Sequence, residues 1–294
     1  MKKIISIDLV VLMLAATLCL ASCGNDKKFV SVDAADLLKE DFGIAVKKGN
    51  SALMAEVNKV IDAWVADGTM TKYVDYYTQL ADYEADVKGV SKPEAGELKV
   101  DWDFGSATEV ITVYTESGFA PFEFVSNGKV IGVDIAIMSE VAERLGKNIV
   151  IEDVAFDTIP TCVKNAEGDA VGAAGVTISD SRKQSVDFSA VYYSSTLVIV
   201  SNKEQSYSKL SDLTGLKVGV QEGTSGDLIS TDAASSEGYV YENEDGQEVI
   251  IKVAIDEVKA YKQYSLAFAD LKAGRIDAIV MDKLPALTML NLIG

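Results

Sequence analysis

Leu53, Val57, Val60, Ile61 and Trp64 recur every three or four positions, an apolar stripe that predicts an amphipathic helix. Asn50 or Ser51 can cap it and Gly68 stops it. A second helix is predicted from Thr69 or Thr71, with Tyr73, Val74, Tyr77 and Leu80 on one side. The tyrosines in and beside that stripe (Tyr73, Tyr76, Tyr77, Tyr83) read as amphipathic packing, with a sticky surface as the alternative. Ahead of the helices, Phe29-Val-Ser-Val alternates like a strand, Ala34 to Asp41 is a polar connector, and Phe42-Gly-Ile-Ala-Val is an apolar strand. Periodicity fails from Ala85 to Thr108, where Lys88-Gly-Val-Ser-Lys-Pro-Glu-Ala-Gly has the composition of a linker. Trp102 and Phe104 are expected to pin part of it to a domain surface.

Regular patterning resumes at Glu109–Thr115, a β-branched strand. After it come a turn at Asn127-Gly128, a helix through Ile135, Met138, Val141 and Leu145 closed by Gly146, and the strand Ile149-Val-Ile. A short helix follows Phe156-Asp-Thr-Ile-Pro, and the small apolar run Ala170–Val176 reads as a buried strand end. Strand and helix alternate, so this half is expected to be α/β with a largely parallel sheet, whose ligands sit beyond the carboxyl ends of strands. Beyond it lie the strand Thr196–Val200, the strand Lys217-Val-Gly-Val, a hairpin between Tyr239 and Val253, a helix at Leu266–Leu271 and a strand from Gly274 to Asp282. Lys283-Leu-Pro-Ala begins an apolar helix. An end this apolar is expected to be covered by further chain.

Hydrophobic content of 48% over 294 residues is ample for one large or two modest domains. The formal charge of −18 argues against nucleic acid and against an anionic membrane surface as partners. No histidine is present, which removes His metal sites, a Ser–His–Asp triad and a His general base. Lys2 and Lys3 followed by the apolar run Leu9–Leu20 form a targeting segment too short for a comfortable membrane span. Its end, Leu20-Ala21-Ser22-Cys23, resembles a bacterial lipobox, which implies cleavage after residue 22 and lipid on Cys23; an ordinary secretory signal is the alternative. Loss of residues 1–22 removes Lys2, Lys3 and Asp8 and leaves 25 basic and 44 acidic residues. Cys162 then has no disulfide partner and reads as a small buried hydrophobe.

The candidate chemistry centres on Gly175-Val-Thr-Ile-Ser-Asp-Ser-Arg-Lys. Ser179 or Asp180 can cap a turn of helix whose first N–H groups attract an anion, and Arg182 offers a planar fork that fits a carboxylate. A capped surface helix with a solvated arginine would leave the same pattern. Gln221-Glu-Gly-Thr-Ser-Gly-Asp is a second N–H-rich turn; it lacks the lysine and spacing of a nucleotide-binding loop. Glu116, Phe119, Phe156 and Thr177 all fall just after predicted strands.

Seven segments carry a family resemblance: Thr115–Phe124, Gly132-Val-Asp-Ile, Gly175–Lys183, Val186-Asp-Phe-Ser, Tyr192-Tyr193, Gly219–Gly226 and Asp277–Asp282. In this order they resemble the family 3 extracellular solute-binding proteins, the amino-acid receptors of ABC importers. The resemblance implies an α/β, two-lobed, periplasmic-binding-protein-like fold of type 2. Family members place a segment similar to Phe29–Leu80 after the helix that follows Asp282, so the chain is expected to be circularly permuted, with 85–108 joining the old ends. The implied organisation is a signal peptide (1–22), a lipid tether (23–27), lobe 1 (43–191), lobe 2 (28–37 plus 197–294) and a hinge (38–42 and 192–196). By the same resemblance Arg182 pairs with the ligand α-carboxylate, aided by Thr177 and N–H groups near Thr224 and Ser225. Asp282 and the Gly175 carbonyl hold the α-ammonium, Phe119 and Phe156 sandwich the side chain, and Glu116 meets the ammonium or a polar end. The plainer readings are a helix cap for Asp282 and core for the two Phe residues.

The function implied is a lipid-anchored, extracytoplasmic, monomeric receptor that binds a polar amino acid between closing lobes and passes it to an ABC permease, with no cofactor and no metal. Glu116 admits a cationic ligand; Gln221 and the hydroxyls suit a neutral polar one. Two other classes stay open. One is an enzyme of this fold, such as a cyclic-carboxylate dehydratase with Glu116 as general acid; the other is a surface ligand sensor.

Overall fold

The computed structural model describes residues 28–34, 37, 39–242 and 246–293. The signal segment, Cys23 and the 23–27 tether lie outside these residues. In chain order the elements are β1 (Phe29–Asp33), β2 (Lys39–Phe42), β3 (Ala45–Lys47), α1 (Ser51–Ala66), α2 (Thr69–Glu84), β4 (Val110–Thr115), β5 (Gly118–Phe119), β6 (Glu123–Ser126) and β7 (Lys129–Ile131). They continue as α3 (Val133–Leu145), β8 (Asn148–Asp153), α4 (Ile159–Asn165), β9 (Asp169–Gly172), α5 (Asp180–Lys183), β10 (Val186–Phe188) and β11 (Tyr193–Asn202). The last are β12 (Lys217–Gln221), α6 (Ser225–Ala234), β13 (Tyr239–Glu242), β14 (Glu248–Ile251), β15 (Glu257–Tyr261), α7 (Tyr264–Lys272), β16 (Ala278–Asp282) and α8 (Lys283–Ile293).

The strands form two main sheets, each covered by its own helices, and the molecule has two lobes. One sheet has the order β10-β3-β9-β4-β8, the other β1-β11-β16-β12-β15. The first is mixed rather than largely parallel. β4 runs parallel to β8 and β9, while β3 lies antiparallel between β9 and β10. The reason is β3 itself, a three-residue strand from the amino-terminal segment that inserts into a sheet otherwise built after residue 109.

The helix pair forms as the stripe requires. Leu53, Val57, Val60, Ile61 and Trp64 are all buried, and the Asn50 side chain accepts from the Leu53 N–H at 3.2 Å. Burying each such aliphatic side chain contributes about 1.5–3 kcal/mol, so this face fixes α1 against α3 far more firmly than helix propensity does. Tyr73 and Tyr77 are buried and ring-stacked, whereas Tyr83 is exposed. Residues 85–108 carry no helix or strand. Lys99 lies over the Trp102 ring, Phe104 packs against the core, and the Tyr73 hydroxyl donates to the Lys99 carbonyl, which pins the linker.

Three local expectations change. The polar connector becomes strand from Lys39, because β2 pairs with Tyr193–Thr196 of β11. The segment Glu257–Tyr261, unremarkable in sequence, is a strand parallel to β12. Cys162 is half-buried rather than buried, on the partly open face of α4.

β11 is the longest strand and ties the architecture together. Its first half pairs with β2; its second half pairs with β1 on the same edge and β16 on the other. Phe42, at the end of β2, also bridges to Thr177.

Candidate functional site

The lobes meet over a central cavity of about 10 Å³, the room of a single water. Glu116, Phe119, Phe156, Gly175, Thr177, Thr224, Ser225 and Asp282 all line it, so eight of the nine ligand-binding residues expected from sequence converge there. Anything larger than water requires the walls to part.

Each wall follows from local structure. Thr115 ends β4 and its hydroxyl donates to the Ala173 carbonyl at 2.6 Å, which fixes the two strand ends that present Glu116 and Gly175. Gly175 has φ +55°, and a Cβ there would meet the Phe119 ring at 2.8 Å, so only glycine lets this backbone touch that ring. Ser179 caps α5 by accepting from the Arg182 N–H at 3.3 Å. Thr224 caps α6 in the same way, accepting from the Asp227 N–H. The opposing turn also comes very close: Gly223 has φ +78°, and a Cβ there would lie 2.8 Å from that of Asp157.

Arg182, the ninth residue, is placed differently. Its guanidinium donates to the Thr177 carbonyl at 2.7 Å and to the Gly223 carbonyl at 2.9 Å, and so straps one lobe to the other. The Phe156 ring lies 5.4 Å from it. Arg182 borders an outer pocket of about 190 Å³, also lined by Phe156 and Leu228, so it stands between the central cavity and a vestibule. Phe119 stacks on Tyr264 at 6.3 Å, and it is Phe156, bordering both spaces, that faces the cavity from the other side.

Acids dominate the floor. Glu116 is buried and accepts from Gln221 at 3.0 Å and Gln263 at 2.8 Å, both from the opposite lobe. Burial raises its pKa, and the two amides offset part of that. Glu123 is fully buried, lines the cavity, and neither of its oxygens has a hydrogen-bond partner among the described residues. Desolvation, reinforced by Asp134, holds its pKa well above the ordinary carboxylate range. Asp282 is buried, its Oδ1 has no hydrogen-bond partner among the described residues, and burial raises its pKa too. Asp134, beneath the site, accepts from the Gly175 N–H and the Tyr192 hydroxyl, each at 2.9 Å, and burial lifts it to about 7.

Sequence reasoning missed Glu123, Glu40, Asp134, Gln263 and Tyr264. For Asp134 a signal existed, since it is the acid of Gly132-Val-Asp-Ile on an otherwise apolar helix face. Glu123, between Phe122 and Phe124, reads by alternation as the outward residue of a strand. In fact all three are buried, although Val125, two positions beyond Glu123 along β6, is exposed.

With this geometry in hand, residues 111–282 match the model of the bacterial extracellular solute-binding proteins, family 3. The chain belongs to that family. It is 34% identical over 119 residues to the arginine-binding extracellular protein ArtP of Bacillus subtilis (strain 168), covering 40% of this chain and 46% of that protein. It is 28% identical over 187 residues to the ABC transporter arginine-binding protein 1 of Escherichia coli (strain K12), covering 63% and 68%. The chain thus spans under half the length of the first relative and about two thirds of the second. Among solved structures, an ancestral arginine-binding protein bound to arginine aligns with TM-score 0.52 and 34% identity, over 62% of this chain and 73% of that one. An arginine-bound truncated arginine-binding protein from T. maritima aligns with TM-score 0.51 and 33% identity, over 62% and 77%. These likenesses agree with the α/β, two-lobed fold of type 2.

Proposed function

We propose that the protein binds an amino acid with a cationic side chain between its two lobes and delivers it to an ABC permease outside the cytoplasm. Glu123 carries the side-chain class. A carboxyl that is fully buried, aimed into the cavity and unpartnered is costly unless something binds there to satisfy it, and a guanidinium or ammonium does. Glu116 and Asp282 add further acid around the same space. A neutral polar side chain fits less well, because the amides of Gln221 and Gln263 are already engaged with Glu116. Two relatives are named as arginine-binding proteins, while others are named for histidine and L-cystine. They are binding proteins rather than enzymes, and we place this protein in that class, as a monomer.

In this reading the walls part about the 38–42 and 192–196 strands, with lobe 1 at 43–191 and lobe 2 at 28–37 plus 197–294. Arg182 turns from the Gly223 carbonyl to the ligand carboxylate, with Thr177 and the first N–H groups of α6 beside it. Asp282 and the Gly175 carbonyl take the ammonium. Phe119 and Phe156 flank the side chain. The permuted order is part of the reading: the family match begins at residue 111, yet β1, β2 and β3, which enter both sheets, all precede it. The α8 helix packs near β1, with Lys283 paired to Asp33 at 2.9 Å, so old neighbours would remain neighbours. Lipid on Cys23 would tether the receptor to the membrane; Cys23→Ser should release it to the soluble fraction.

The test is a thermal-shift scan of protein starting at residue 24 against all amino acids, with Arg182→Ala alongside. Residues 28–293 contain both lobes, so this protein keeps the whole fold. A ligand at 100 times its Kd stabilises by about 2.7 kcal/mol. Shifts with arginine, lysine or ornithine, absent in the variant, are expected. Shifts confined to neutral amino acids would overturn the side-chain class, and none at all, after unfolding and refolding to strip retained ligand, would overturn amino-acid binding.

A further inference from the structure

β11 brings together two acids from opposite edges. Glu40 of β2 pairs opposite Ser195, and Asp282 of β16 pairs opposite Leu197. Directly paired residues project to the same face of a sheet, as do residues two apart on one strand. Glu40, Ser195, Leu197 and Asp282 therefore share one face, the one Asp282 presents to the central cavity. Both acids are only 6% exposed. Ser195 and Glu40 lie close enough to Asp282 to influence its titration, and Ser225, Thr177 and Asp282 do the same for Glu40. Two buried carboxyls on one sheet face repel when both are ionised and lose their hydration, which favours a proton on one of them.

We propose that Glu40 and Asp282 hold one proton between them, that the ligand's α-ammonium displaces it, and that Glu40 is therefore a ligand-binding residue contributed by the crossing strand. This rests on the amino-acid reading above. The balance is simple: a protonated pair of charge −1 meets R–NH₃⁺, one proton leaves to water, and two carboxylates plus one ammonium again sum to −1. No covalent bond other than the carboxyl O–H breaks. The groups that face the pair fit this scheme. Arg182 is a cation whose field reaches both acids, and two of its N–H groups are engaged with backbone carbonyls. Asp282 in turn opposes ionisation of Glu123. Tyr193, Tyr239 and Tyr264 also face the two acids, and burial raises all three phenols, so they stay neutral. Desolvation is the largest influence on both carboxyls and raises both, Asp282 strongly. Because Glu40 lies on a strand that runs between the lobes, the proton's departure also couples ligand charge to the segment about which they close.

Proton release on binding L-arginine, measured by calorimetry in buffers of different ionisation enthalpy, tests this in wild type, Glu40→Gln and Glu123→Gln. Glu40→Gln is expected to release about one proton fewer than wild type, whatever Glu123→Gln does. Wild-type affinity should climb up to tenfold per pH unit from about pH 5 until the pair ionises, and the Glu40→Gln curve should be flatter by that step. Equal release and parallel curves in wild type and Glu40→Gln would overturn the proposal. A second readout needs no ligand: ¹³C titration of labelled Asp and Glu carboxyls, with Asp282→Asn to assign the signal. An Asp282 resonance that ionises well above the surface carboxyls, and moves down in Glu40→Gln, supports the pair. An ordinary Asp282 titration, unmoved by Glu40→Gln, overturns it even if no amino acid binds, whereas failure of every amino acid with the raised titration intact would sink the amino-acid reading alone.

Discussion

The floor and the rim of the cleft are both rich in acid, yet they are built on opposite terms. At the rim, Lys262 pairs with Glu222 at 2.5 Å and with Asp157 across the lobes at 3.6 Å, and its side chain is 59% exposed. At the floor, Glu123 has no partner among the described residues, and Asp282 leaves one oxygen unpaired. Water screens the rim, so its ion pairs contribute little. Nothing screens the floor, so each unmatched carboxyl either keeps its proton or waits for a cation. Charge that is visible on a surface is therefore a poor guide to the ligand. Charge hidden in the cavity is a better one.

The sharpest way to break this contrast is Arg182→Ala. It removes both the expected carboxylate partner and the strap from Thr177 to Gly223, so binding should fall by roughly 100-fold or more, while the unliganded protein stays folded but melts lower for want of the two strap bonds. Retained affinity would show that the ligand carboxylate lies elsewhere. Glu123→Gln comes next. Loss of a charge-assisted hydrogen bond costs about 1.5–3 kcal/mol, so arginine affinity should drop roughly 10- to 100-fold while the unliganded protein becomes more stable at neutral pH. The same loss for neutral amino acids would deny Glu123 its role in side-chain choice.

Asp134→Asn tests the floor through pH. A carboxyl whose folded pKa is raised to about 7 supports folding most below its ordinary titration range, and that contribution is lost as pH climbs toward and through 7. Wild-type melting temperature should decline from about pH 5 to 8, and the decline should be shallower in the variant, since the amide oxygen can still accept from Gly175 and Tyr192. An identical slope would remove Asp134 from the account. The smallest effect is expected at the rim. Lys262→Ala should change stability by less than about 1 kcal/mol and ligand affinity only a few-fold, with the difference shrinking as salt is added. A loss as large as that of Glu123→Gln would erase the distinction between rim and floor.

What could be read without coordinates was local. The α1 and α2 stripes, the caps at Asn50, Ser179 and Thr224, and the strand-to-turn positions of Glu116, Phe119 and Thr177 are short-range patterns, and short-range physics produces them. Composition removed histidine chemistry and nucleic acid before any fold was known. The ordered motifs pointed to the family and to eight residues that line one cavity. Other features depend on partners far along the chain. Glu40 looked like part of a polar connector until β2 paired with β11, more than 150 positions away. The strand Glu257–Tyr261 exists because β12 offers it a parallel edge. Glu123 sits where alternation points outward, and only the assembled cavity wall at the start of β6 turns it into a buried acid without a hydrogen-bond partner among the described residues. Sequence determined which groups the site would own. Tertiary structure decided which of them lost their water, and hence which must find a proton or a cation, because desolvation belongs to the assembled fold and to no segment by itself.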